Sequence, residues 1–183
     1  HRHQFLEQVI NRCQMINGLL MTTLCRDHAY RFIKLGHLLE RADMTTRVID
    51  VGAGALLGNK KLNKAVGPLI WAALLQSLSA MGTYRRTIGP LVEADAVVEF
   101  VFKERSLPRS VRFCLDGIRQ ELVPLKNHQD ALKVLERSRR SLSRFSPDEA
   151  RREDLHKFID RFQIELNTLG TTIISTWFMV DGT

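Results

Sequence analysis

The sequence predicts an all-α protein, a multi-helix bundle of about six to seven helices. Three observations lead there. From Arg31 to Leu57, Phe32, Leu35, Leu39, Ala42, Thr46, Ile49, Ala53 and Leu56 recur at steps of three and four, one stripe of a long helix facing a core. Glycine and proline mostly fall between such periodic segments, and β-branched alternation is nearly absent. At 183 residues, with 44% hydrophobic and 26% charged residues, one domain with a real core is the expectation.

The first segment, His1 to Leu24, carries Leu6, Val9, Ile10, Cys13, Ile16, Leu20 and Leu24 on a broad apolar face and reads as a helix packed in the bundle. Arg26-Asp27 breaks the pattern, and Asp27 is placed to cap the long second helix. Gly52 and Gly54 weaken the end of that helix, and Gly58-Asn59 should stop it. Asn59 to Gly67 reads as a basic connector, with Pro68 at the start of a third helix reaching Ile88. Leu69, Ala72, Leu75, Leu78 and Tyr84 should face inward there, with Trp71 near the rim. A short helix over Ala94 to Lys103 follows.

Another helix begins at Pro108 or Arg109 and bears Val111, Leu115, Ile118 and Leu122. Pro124 kinks it or separates it from one reaching Leu142. Ser146-Pro147-Asp148-Glu149 is a helix-start signal for the last element. Leu155, Ile159, Phe162, Leu166, Leu169, Ile173 and Trp177 then run at heptad-like spacing.

Beside the buried stripe of the second helix, Gly36, Glu40, Asp43 and Arg47 line up within about 60° of one another. The glycine at its start should let another backbone come close. Arg41 projects about 100° away from Glu40, so each charge must find a different partner. Asp43 and Arg47 are placed to pair at i, i+4, an exposed pair contributing about 0.2–0.5 kcal/mol.

Chemistry-bearing patterns are sparse. His37, Glu40 and Asp43 lack the further acid and Glu-x-x-His partners of a bundle di-metal site, so no metal and no cofactor are expected. The glycines after the second helix follow no strand and end in no Gly-Lys-Ser/Thr, which argues against a phosphate loop. Cys13, Cys25 and Cys114 have no disulfide or zinc spacing and fit a reduced, cytoplasmic setting. Cys114, between Phe113 and Leu115, reads as core rather than nucleophile.

A net charge of +7 favours anionic partners. Arg85, Arg86, Arg109 and Arg112 are the anion-binding candidates, Arg109 standing at a helix start where free N–H groups attract anions. The run Arg137 to Arg152 has only Phe145 as an interleaved aromatic, so nucleic-acid binding by base stacking has little support. The last apolar run, Ile173 to Val180, is too short to span a bilayer, and no signal-peptide pattern is present.

The stretch YRFIKLGHLLERADMTTRVIDVG resembles the bacterial alpha-E family, a helical domain named for a Glu-Arg pair, here Glu40-Arg41. WAALLQSLSAMGTYRRTIGP (Trp71 to Pro90) and VVEFVFKERSLPRSVRFCLDGI (Val97 to Ile118) resemble the same family. One departure is His37, where the family form has arginine. Family members are longer and carry the Glu-Arg helix twice. The resemblance, with the opening HRHQFL inside a periodic segment and without methionine, implies the C-terminal portion of a longer protein.

The family has no established activity. Its association with ATP-grasp-type carboxylate–amine ligases, transglutaminase-like proteins and proteasome-like peptidases implies a peptide-synthesis or peptide-modification system. The leading expectation is an accessory, non-catalytic helical protein in which Glu40, Arg41, Asp43 and Arg47 hold the bundle or present a docking face, with homo-oligomerisation compatible. One alternative is an enzyme of that system using Glu40 or Asp43 as general base with an arginine anion pocket. A second is a basic nucleic-acid binder.

Overall fold

A computed structural model of the chain describes residues 2–54, 60–147 and 152–179. Among these residues every regular element is helical, and there are eight rather than six or seven: α1 (Arg2–Thr23), α2 (His28–Gly54), α3 (Lys60–Ser77), α4 (Met81–Thr87), α5 (Ala94–Lys103), α6 (Val111–Leu122), α7 (Gln129–Arg144) and α8 (Arg152–Trp177). The extra helix comes from a break inside the expected third one. Ser79 takes a left-handed backbone (φ 53°). Ala80 N–H then donates to Leu75 O at 2.7 Å and Ser79 N–H to Gln76 O at 2.9 Å, a Schellman-type end built without glycine. α4 leaves at 113° to the preceding helix.

The organising helix is α2. Asp27 caps it, its Oδ1 accepting from Tyr30 N–H at 3.1 Å. Leu35, Ala42, Thr46, Ile49 and Ala53 are buried as the stripe requires, and Leu56 lies outside the described residues. Leu38 and Thr45 are buried too, because α2 is flanked by both α6 and α8. Close approach is bought with glycine: a Cβ on Gly117 would come 2.9 Å from Leu38 Cδ1, and one on Gly52 would come 2.6 Å from Leu74 Cδ1. Gly36 does not play this part. It is exposed with no neighbour within 4 Å of where a Cβ would stand.

Other boundaries shift for local reasons. α3 begins at Lys60 and runs through Pro68, so Pro68 is inside the helix rather than at its start. Burial of Trp71, Leu74 and Leu75 carries the helix across the missing N–H. The inward face is also rotated from expectation, with Trp71 4% exposed and Leu69 68% exposed. α6 starts at Val111, not at Pro108 or Arg109, since Ser110 is the N-cap and its Oγ accepts from Phe113 N–H at 3.0 Å. Pro124 lies in a turn that separates α6 from α7. Of the expected final start signal, Asp148 and Glu149 lie outside the described residues.

Most of the core lies where these helices meet. Phe102, Phe145, Phe158 and Phe162 form a connected aromatic cluster, with Phe145 and Phe158 stacked at 4.0 Å. Leu155, Ile159, Phe162, Leu166, Leu169 and Ile173 bury the length of α8, and Trp177 Nε1–H donates to Lys126 O at 3.0 Å. α1 is the exception. It has no buried residue, and Phe5, Leu6, Val9, Ile10, Met15, Ile16 and Leu19 stand exposed rather than packed in the bundle. Among the described residues no single helix is long and apolar enough to cross a membrane.

Candidate functional site

The polar row of α2 borders a groove of about 650 Å³ against α8. Glu40, Asp43 and Arg47 line one wall; Asp160, Gln163 and Asn167 stand opposite, with Leu39, Leu166 and Gly170 also lining it. Glu40 and Arg47 are exposed and Asp43 is half-buried. Arg47 Nε–H donates to Asp43 Oδ2 at 2.7 Å, and Nη2–H reaches Oδ1 at 3.4 Å. That hydrogen bond, then the charge of Asp43, with Glu40 adding a smaller share, raises the Arg47 pKa. This pair lies within one helix and ties no two elements together. Between α2 and α8, Gln163 Nε2–H donates to Thr46 Oγ1 at 3.1 Å, and His156 Nδ1 lies 2.7 Å from Asp50 Oδ1.

The neighbouring charges do reach different places. While Glu40 faces the α8 groove, Arg41 Nη1 lies 3.4 Å from Pro108 O in the α5–α6 connection. One turn on, Thr45 Oγ1–H donates to Arg109 O at 2.9 Å. The side of α2 bearing Arg41 and Thr45 therefore grips that connection, which is itself folded around Glu104. Ser106 donates to Glu104 Oε1 through its N–H at 2.8 Å and its Oγ–H at 2.7 Å, lowering the Glu104 pKa. Ser110 Oγ–H donates to Glu104 O.

The four anion-binding candidates do not share one cavity. Arg85 and Arg86 are exposed on α4, where Arg86 Nη2–H donates to Thr83 Oγ1 at 3.1 Å. Arg109 is exposed just ahead of the cap. Arg112 Nε–H donates to Asp116 Oδ2 at 3.0 Å, and Nη1–H reaches Ser143 Oγ at 3.3 Å. It lines a 220 Å³ cavity with Lys103, Arg105, Leu142 and Ser143. The groove holding Glu40 and Asp43 has Arg47 and none of these four in its lining.

Sequence reasoning missed one charged centre. Glu121, its side chain 8% exposed, accepts from Lys34 Nζ at 2.6 Å and from Arg31 Nη1 at 2.9 Å, joining α6 to α2. No local pattern connects partners so far apart in the chain, and an acid on an otherwise apolar face passes for a surface residue. Cys114 is buried, and burial pushes its thiol up to about 11, so it stays protonated and inert near neutrality. Among the described residues no three His, Cys, Asp or Glu side chains converge as metal ligands would.

No curated protein and no solved structure matches this chain. A family model does: Alpha-E, described as a predicted alpha-helical domain with a conserved ER motif, matches residues 1–178. That span takes in all eight helices, from the exposed α1 to the end of α8. The chain belongs to the Alpha-E family.

Proposed function

We propose that this chain is an accessory, non-catalytic docking component of a bacterial peptide-synthesis or peptide-modification system. It works beside an ATP-grasp-type ligase and a transglutaminase-like protein in the cytoplasm. The observation that carries this reading is the division of labour at the Glu40-Arg41 pair. Arg41 is turned to the α5–α6 connection, whereas Glu40 stands exposed with Arg47 on an open groove. Exposed charges on a groove wall suit recognition of another protein, where complementary charge governs specificity and encounter rate. The carboxylates and the anion-binding candidates sit apart, which gives the docking reading more support than the enzyme reading.

The test is affinity capture of the full-length protein from its native host, with mass spectrometry. The wild type should bring down the ATP-grasp-type ligase, and Glu40→Arg should lose it while keeping the helical circular-dichroism spectrum and melting temperature. Capture of neither proposed partner, or equal capture by Glu40→Arg, overturns the proposal.

A further inference from the structure

An arginine-rich face lies between α7 and α8. Arg137, Arg140 and Arg144 stand at i, i+3 and i+7 along one side of α7, and Arg161 of α8 joins them around a groove of about 790 Å³. Like charges at such spacings destabilise a helix. Among the described residues Arg137, Arg140 and Arg144 have no hydrogen bond or ion pair.

The opposite side of the same helix is treated differently. Arg139 donates to Glu136 and to Asp116, each at 2.7 Å. Arg119 shares Glu136 at 3.2 Å, and Arg112 shares Asp116 at 3.0 Å. Two acids thus serve three guanidiniums on one face, and the other face keeps its arginines open.

Three unpaired guanidinium forks in a row call for carboxylates or phosphates. The rest of the lining chooses between them. Asp154 and Glu165 border the same groove, and Glu165 Oε2 is buried with no hydrogen-bond partner. A bare polyanion brings no donor to that oxygen. A peptide brings both carboxylates and N–H donors. The dimensions agree, since Arg140 and Arg144 are about 6 Å apart along the helix axis and alternate side chains of an extended peptide are about 6.7 Å apart.

We infer that the α7–α8 groove binds an extended acidic peptide. Two alternate carboxylates lie on Arg140 and Arg144, Arg137 adds a further positive charge beside them, and the terminal ammonium or a backbone N–H turns toward Glu165. This goes beyond the docking reading and uses neither Glu40 nor Arg47, so either can fail without the other.

Fluorescence anisotropy on the full 183-residue chain tests it, with a hexaglutamate peptide bearing a free N-terminus and a C-terminal dye as probe. Binding should saturate and be competed by unlabelled hexaglutamate, but not by hexaglutamine. The R140Q/R144Q variant, at exposed positions, should keep its melting temperature and weaken binding about tenfold or more. R119Q, on the other face, should leave binding unchanged. E165Q should weaken the free-amine peptide, whereas a site for bare anions would gain affinity on losing that negative charge. The proposal is overturned by no saturable binding, by indifference to R140Q/R144Q, by tighter binding to E165Q, or by tripolyphosphate or an oligothymidylate displacing the probe at lower concentration than hexaglutamate does.

Discussion

The two edges of α2 carry charges of different standing. Toward α6, Arg31 and Lys34 converge on Glu121, whose side chain is 8% exposed. Toward α8, Asp43 pairs with Arg47, which is 56% exposed and reaches no other helix. The first cluster joins two elements of the core; the second decorates the rim of a groove. The contrast teaches that an ion pair's role is set by what packs over it, since a buried carboxylate deprived of its cations has no water to turn to. Exposed i, i+4 pairs contribute little.

The largest way to break the comparison is to strip Glu121 of both cations. Arg31→Met with Lys34→Met should cost about 3 kcal/mol, read as a lower midpoint in chemical denaturation at pH 7. Restoration of the midpoint on adding Glu121→Gln would show that the stranded carboxylate is responsible. If the double variant is as stable as wild type, the α6 edge is no more structural than the α8 edge.

Thr45→Val is a smaller perturbation of the edge that grips the α5–α6 connection. It keeps the shape but removes the hydroxyl that donates to Arg109 O, and should cost about 1 kcal/mol by the same measurement.

The smallest effect sharpens the α8 edge. His156 Nδ1 lies 2.7 Å from Asp50 Oδ1, and this hydrogen bond, then the charges of Asp50 and Asp160, raises the imidazole pKa above its ordinary 6.5. The protonated form is therefore favoured by folding. The resulting stabilisation is fully present below 6.5 and fades as pH rises through the raised folded value. The melting-temperature gap between wild type and His156→Gln should be positive in acid and close in alkaline buffer. An NMR titration of the His156 ring should show its midpoint falling in Asp50→Asn. A gap independent of pH would remove the charge from the account.

Helix content and the inward stripe of α2 were legible because three-and-four spacing follows from helix geometry. The reading stopped where tertiary packing chose. Leu38 and Thr45 are buried because α2 is covered from two sides, which widens its apolar arc beyond one stripe. Trp71 and Leu69 exchanged places because an apolar helix sets its own rotation only weakly. The break at Ser79 had no glycine or proline to announce it. At the candidate site, the Asp43–Arg47 pair and the divergence of Glu40 from Arg41 were local and readable. Glu121, Arg161 and the separation of the arginine candidates needed the fold.

The absence of any α1 side chain from the interior has a consequence for how the molecule comes apart. Among the described residues the first buried side chain is Tyr30, whose hydroxyl donates to the sulfur of Met21 at 3.5 Å. Upstream of that contact the chain is a helix with no buried side chain, joined to a packed body. Its amides should therefore trade hydrogen with solvent long before those of α6 or α8, through local fraying.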